Sequence, residues 1–287
     1  MRENSIDTPR SQTEQSVVWR WPRSPARDNR SLFGHGPGGE GALWAARTGL
    51  TADEGSLLER CLAAGLLDAR QPTVEAGTGG GRIVRALRDR GFAELSAFDL
   101  APESIRAAWA ADATGNVQYV VADAAHLPYP DAQFRQALYL QQFLSIIDGA
   151  GGPAAVMREA YRIVAPGGVV IVSALCFDDR GRTWVRTGVV RTYTRYLAVL
   201  RRLRRVALPP RWQPWTGVNG VLGAILDWAP HAYWFRGDEI ETLLRATGFV
   251  VERVRIGEGT APVRYFIGLK PPRYDDDRGF GNARRGT

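Results

Sequence analysis

The chain has 287 residues, of which 45% are hydrophobic, 10% aromatic and 23% charged. This ordinary globular usage excludes a disordered, collagen-like or low-complexity fibrous protein over most of the length. One large domain with an insertion, or two small ones, fit that length, and either buries a core without metal or disulfide support. The net charge of +7 is concentrated: Asp178 to Gly237 holds 11 Arg against 3 Asp, a local +8, while the remainder holds 26 basic and 27 acidic residues, net −1. The basic character therefore belongs to one segment. Lys270 is the single lysine among 37 basic residues, a bias that reads more simply as codon usage than as function.

Cys61 and Cys176 stand in apolar surroundings and are too few for a disulfide framework, so buried, reduced thiols are expected, as in a cytoplasmic chain. The opening MRENSIDTPRSQTEQ has no apolar h-region, and no apolar run approaches the roughly 20 residues of a spanning helix. The expectation is a soluble, cytoplasmic protein.

Residues 1–30 are polar, carry Pro9, Pro22 and Pro25, and show neither helical nor strand periodicity, so they read as a flexible arm in which Trp19 and Trp21 are docking points. Residues 31–71 read as a helical cap. A glycine-dense stretch, LFGHGPGGEG, precedes a Thr51/Glu54 capping box, and the helix behind it aligns Leu57, Leu58, Cys61 and Leu62. From Pro72 strand and helix alternate: Thr73-Val74, a glycine turn, RIVRALRDR stopped by Gly91, ELSAFD, a helix opened by Pro102, then VQYVV and FRQALYL. AAVMREAYRIV and VVIVSAL follow, joined by the turn Pro166-Gly167-Gly168. DEIETLLRAT, FVVERVRI and VRYFIGL complete the unit with an antiparallel, hairpin-like edge. This rhythm predicts a doubly wound α/β fold on a mostly parallel, seven-stranded sheet, with residues 72–177 and 238–270 as its core. Residues 178–237 interrupt it before the last helix and read as a helical, Arg- and Trp-rich lid. Tyr193, Tyr196, Leu197, Leu200 and Leu203 share one face there, Arg191, Arg195 and Arg202 the other. Residues 271–287 read as an unstructured tail.

Val74 to Arg82, VEAGTGGGR, is a glycine turn between strand and helix, where backbone approaches a ligand closely and a helix N-terminus favours electronegative groups. The dinucleotide fingerprint requires glycine at a sixth position, counted from Gly77, where Arg82 stands, so that fingerprint fails. What is present is Glu75-x-Gly77-x-Gly79-x-Gly81. With this motif the chain resembles the class I S-adenosylmethionine-dependent methyltransferases, from about Pro72 to Ala174 and more loosely from Asp238 to Leu269. Four further features arrive in the family's order: FDL with Asp99 and Leu100 after the second strand, Asp123 just after the third, LYLQQ ending the fourth, and IVAPGGVVIVS.

The resemblance implies a Rossmann-like methyltransferase fold, S-adenosyl-L-methionine as cofactor and S-adenosyl-L-homocysteine as product. It implies that Gly77, Gly79 and Gly81 pass beneath the methionine and ribose portions and that Glu75 orients the ammonium. Asp99, with Leu100 beside it, would take the ribose hydroxyls. Asp123 would take the adenine amine with the Ala124 backbone near a ring nitrogen, and Gln141 would stand at the methionine end. Each carboxylate has a structural alternative, since Glu75 or Asp123 alone can cap a helix or turn. Arg82 reads as a surface contact.

A hydroxyl or ammonium acceptor also needs a base. The candidates are His231, in DWAPHAYWF, His35 in the glycine-dense stretch, and Tyr233 as a substitute; packing among Trp228, Tyr233 and Trp234 is the structural alternative for His231. His126 reads as solvent-facing. Many family members carry a histidine after the fourth strand, where QQFLSII stands here. The aromatic load of the lid suggests a small, lipophilic or aromatic acceptor, although the same residues can form the lid's own core. The arginine face suits an anionic substrate or peripheral membrane contact, or is simply solvated. LQQF replaces the N/D-P-P-Y expected for nucleobase methylation, so nucleic acid is disfavoured, and no cluster has metal-ligand spacing. The alternatives from other classes are an NAD-dependent oxidoreductase and a non-catalytic cofactor-binding scaffold with a basic lid; oligomeric state is left open.

Overall fold

The computed structural model of the chain describes residues 17–19, 46–147, 152–176, 235, 237–254 and 263–273. In chain order these form β1 (Val17–Trp19), α1 (Ala52–Ala63), β2 (Thr73–Ala76), α2 (Arg82–Arg88), β3 (Leu95–Asp99), α3 (Pro102–Ala110), β4 (Val117–Val121) and β5 (Phe134–Tyr139). A 3-10 turn at Phe143–Ile146, α4 (Gly152–Ile163), β6 (Val164–Leu175), α5 (Gly237–Thr247), β7 (Val250–Val254) and β8 (Val263–Leu269) follow.

Parallel strands covered on both faces appear in sequence as continuous apolar runs rather than alternations. All four residues of β2 and the first four of β3 are buried for this reason. The sheet order is β1-β4-β3-β2-β5-β6-β8-β7. β1 through β6 pair in parallel, and β8 runs antiparallel to both β6 and β7. The chain builds outward from β2 through β3 to β4, then crosses to β5 on the other side of β2. The point where winding reverses therefore lies between β2 and β5, where open α/β sheets bind ligands at the carboxyl ends of their strands.

Helices cover both faces, giving two cores. Leu57, Leu58 and Cys61 of α1 pack with Ile83, Val84 and Leu87 of α2 and Ile105 and Ala108 of α3 on one face. Val156, Met157 and Ala160 of α4 join Ile240 and Leu244 of α5 on the other. Thr51 and Glu54 form the expected capping box, and Pro102 starts α3. Both cysteines are buried and in no disulfide, and burial pushes the Cys61 thiol up to about 11 against a lowering by Arg60.

One feature departs from the sequence reading and one goes beyond it. Val17–Trp19, inside the stretch read as an unstructured arm, pairs in parallel with β4 and makes an eighth strand; three residues are too few to display a period. The sequence reading left the order of the last two strands open: they form the expected antiparallel edge, with β8 between β6 and β7. Tyr265, Phe266 and Ile267 of β8 are buried in succession, whereas Val250 of β7 is exposed, so the strand with two apolar faces takes the interior place.

The segment after β6 leaves and returns at one point. Cys176 pairs with Phe235, whose N–H donates to the Leu175 carbonyl at 2.9 Å. β6 is parallel to β5 and β2, so the span 177–234 starts and finishes at the carboxyl edge of the sheet. His35, His231, Tyr233, the rest of residues 1–45 apart from β1, most of the lid at 178–237, and the tail beyond Arg273 lie outside the described residues. Among those described, no helix is long and apolar enough to cross a membrane.

Candidate functional site

The carboxyl ends of β4, β3, β2 and β5, in that spatial order, bring together residues far apart in sequence. Glu75 lies in β2 in register with Ala97 of β3 and Leu138 of β5. Asp99 ends β3 beside Val121 of β4, and its carbonyl accepts the Ala122 N–H at 2.9 Å, one residue before Asp123. Asp99 also reaches the glycine turn: one carboxylate oxygen accepts the Gly79 N–H at 2.9 Å and the other the Ala101 N–H at 2.9 Å. Two aspartates and the turn thus border one edge.

The glycines have different reasons. Gly77 has φ +64°, and a Cβ there would sit 2.6 Å from the Phe143 ring, so packing of the 3-10 turn under it requires glycine. Gly79 has φ +53°, and a Cβ there would meet nothing within 4 Å. Among the described residues, nothing fills the space beside its bare backbone. Gly81, also at positive φ, is the N-cap of α2.

Glu75 is 1% exposed. Its Oε2 accepts the Thr78 hydroxyl at 2.7 Å and the Val84 N–H at 3.1 Å, while Oε1 is buried with no hydrogen-bond partner among the described residues. Burial pushes its carboxyl up to about 8; Asp99 adds to the rise, and Thr78, Arg82 and Val84 oppose it. Such a carboxyl is mostly neutral at pH 7 and presents one unused oxygen.

Arg82, read from sequence as a surface contact, is instead buried, 6% exposed. Nη1 and Nη2 donate to the two Glu54 oxygens at 2.6 and 2.7 Å, Nη1 also to the Gly49 carbonyl at 3.0 Å, and Nε to Gln141 Oε1 at 3.4 Å. Burial raises the Glu54 carboxyl, but the hydrogen bonds and charge of Arg82, with those of Thr51, outweigh it and hold the group below the ordinary carboxylate range. Gln141 and Gln142 both take left-handed backbone, φ +57° and +56°. Such strain in non-glycine residues persists only where surroundings over-determine it, and it gathers at ligand sites. Here Ser173 Oγ accepts the Gln142 N–H at 2.8 Å, and Ser145 Oγ accepts the Leu175 N–H at 2.9 Å, tying the turn to β6.

On the far side, Asp123 Oδ1 accepts the Ala125 N–H at 2.9 Å, so it also caps its own turn. The His126 side chain is 65% exposed, with Nδ1 3.7 Å from Asp123 Oδ2. Ala124 is buried and Leu100 half-buried. The loop behind is held by Glu159, whose Oε1 accepts the Leu127 N–H at 2.7 Å, and by Arg162, which donates to the carbonyls of Tyr129 at 2.8 Å and Leu127 at 3.2 Å. Glu75, Gly77, Gly79, Gly81, Asp99, Leu100, Asp123, Ala124 and Gln141 thus converge on this edge. Thr78, Glu54, Arg82 and Phe143 belong to the same assembly and were not singled out from sequence as functional residues. Thr78 and Arg82 lie inside the turn motif and Glu54 in the capping box, whereas Phe143 carried no local signal. No group of three or more His, Cys, Asp or Glu residues able to hold a metal occurs among the described residues.

Comparison with known proteins agrees with this layout. A family model described as a methyltransferase domain matches residues 74–172. A malonyl-[acyl-carrier protein] O-methyltransferase of Serratia marcescens is 30% identical over 129 residues, covering 44% of this chain and 48% of that protein. The chain therefore spans about half the length of the curated relative it matches. Among solved structures, a chain from the complex of the Haloferax volcanii Trm112 methyltransferase activator with a methyltransferase aligns at TM-score 0.51 and 18% identity, over 81% of this chain and 98% of that one. A S-adenosylmethionine-dependent methyltransferase of Methanosarcina mazei aligns at TM-score 0.50 and 18% identity, over 74% and 98%. At such identities the two structures speak for the fold. Together with the family match over residues 74–172 and the motif order, they support the resemblance of this part of the chain to the class I S-adenosylmethionine-dependent methyltransferases.

Proposed function

We propose that the protein transfers the methyl group of S-adenosyl-L-methionine to oxygen, nitrogen or carbon of a small, lipophilic or aromatic molecule. The observation that carries this reading is the convergence of the glycine turn with Glu75, Asp99 and Asp123 at the carboxyl ends of three adjoining parallel strands. Two features suit the donor. The unpartnered Glu75 Oε1 is an acceptor that an α-ammonium would satisfy, and the open space over Gly79 admits a ligand against bare backbone. Asp99, at the end of β3 beside the glycine turn, would take the vicinal ribose hydroxyls. Asp123 with Ala124 would take the adenine, Leu100 would line the groove, and Gln141 would meet the methionine end.

When bound, the donor supplies a methyl group already activated by its sulfonium. The chain's work is then to hold the acceptor atom in line near 3 Å and to keep water out, which alone supplies much of an acceleration. For a protonated acceptor we assign the base to His231, with Tyr233 and His35 as the other candidates. In support, His231 and Tyr233 lie four and two residues before Phe235 in the sequence, and Phe235 pairs with Cys176 at the carboxyl edge. His231→Ala should leave S-adenosylhomocysteine affinity unchanged while lowering turnover about 10²-fold or more; equal turnover removes it. A carboxylate acceptor is a variant of this reading that needs no base. The O-methyltransferase name of the Serratia relative and the stretch Gln141-Gln142-Phe143, with no histidine after β5, favour it.

The test is calorimetry with S-adenosylhomocysteine, followed by incubation with a labelled methyl donor and a host extract to identify the labelled product. Micromolar binding and a labelled small molecule support the reading. Binding of NADH in place of S-adenosylhomocysteine would turn it toward an oxidoreductase, and binding without turnover toward a scaffold.

A further inference from the structure

Glu75 accepts the Val84 N–H in the first turn of α2, which Arg82 opens, and the guanidinium's charge acts on the carboxyl, yet no hydrogen bond joins the two side chains. Arg82 is instead committed to Glu54, on a different helix, through two short parallel bonds, and Nη1 and Nε also donate to Gly49 and Gln141. The other charged or titratable groups around Glu75 do not neutralise it. From β3 Asp99 repels a second charge, and from β4 the Tyr119 phenol is raised first by burial, then by Asp112 and Glu75. A carboxyl that is fully enclosed, short of one hydrogen-bond partner and not bonded to the guanidinium that acts on it keeps its proton.

We propose that donor binding at this site is a proton-for-cation exchange: Glu75 is neutral in the free protein because Glu54 occupies Arg82, and it releases its proton to solvent as the ligand's α-ammonium seats on Oε1. The inference rests on the methyltransferase reading and adds Glu54 to it as a positioning residue that sets the charge of the site from outside it. Only one O–H bond breaks, and the proton goes to buffer. The exchange selects for ligands carrying a cation at that end and makes affinity rise with pH, about tenfold per unit below pH 8.

Titration calorimetry at pH 7 in phosphate and in Tris, whose ionisation enthalpies differ, reads the exchange without any turnover. S-adenosylhomocysteine should release about one proton per site in the wild type and none in Glu75→Gln. 5′-Methylthioadenosine, which shares the nucleoside and sulfur but lacks the ammonium, should release none in the wild type. Glu54→Gln frees Arg82 to neutralise Glu75 beforehand and should cut the proton count; a merely structural role for Glu54 would leave it unchanged. Should that variant fail to fold, the comparison of the two ligands on the wild type decides. S-adenosylhomocysteine binding with the same heat in both buffers overturns the exchange and leaves the methyltransferase reading intact. Absence of binding overturns both.

Discussion

Two arginine–glutamate pairs brace the edge of the sheet, and they differ in how far each is withdrawn from water. Arg82–Glu54, beside the glycine turn, has side chains 6% and 4% exposed. Arg162–Glu159, behind the loop that carries Asp123, has side chains 31% and 15% exposed, and Arg162 also reaches Asp131, itself 80% exposed. The chemistry is the same and the leverage is not. A buried pair leaves an uncompensated charge when one partner is removed, whereas a solvated pair is replaced largely by water. One end of the groove is therefore set by enclosed electrostatics, the other by a hydrogen-bonded loop that tolerates substitution.

The sharpest way to break this contrast is Arg82→Met. It strands the Glu54 carboxylate and should destabilise the protein by about 3–5 kcal/mol, read by urea denaturation; a loss below about 1 kcal/mol would mean that the pair is wetter than the structure has it. Next comes Glu75. Its folded value, about 8, lies above the ordinary 4.5, so the folded protein keeps a proton that the unfolded chain has released. Stability should then fall as pH rises from about 5 to about 8 and level off beyond. Glu75→Gln should remove that slope and stabilise the free protein at pH 8.5 on the order of a few kcal/mol; parallel curves for the two proteins would contradict the assignment. Asp99→Ala should weaken S-adenosylhomocysteine by about 1–3 kcal/mol in calorimetry, and unchanged affinity would take Asp99 out of the groove. The smallest effect belongs to the outer pair. Arg162→Ala should cost about 1 kcal/mol or less, shrinking further in high salt.

The same contrast explains how much could be read before the fold was known. Strands such as VVIVSAL announce themselves because burial on both faces demands β-branched runs. The glycine turn with Glu75, Asp99 and Asp123 is legible because each of its parts is local, a motif at a strand end. Arg82 was misread because an arginine at the start of a helix ordinarily faces water. Its partner lies 28 residues upstream, where Glu54 is already accounted for by the capping box it completes with Thr51. Nothing in a linear reading shows that one carboxylate serves both. The place of β8 inside the sheet was hidden for a related reason, since it depends on which strand has the more apolar pair of faces once β6 is laid down. Val17–Trp19 offers three residues, too few for any pattern, and its pairing with β4 is fixed by the sheet edge rather than by the segment.

A crystal structure of the full chain soaked with S-adenosylhomocysteine tests the central claim most directly. The account predicts density along the carboxyl ends of β2, β3 and β4, with the ammonium on Glu75 Oε1, the ribose hydroxyls on Asp99 and the adenine beside Asp123. Ligand lodged away from the Glu75–Gly81 turn, or Glu75 still unpartnered beneath a bound ligand, would contradict it.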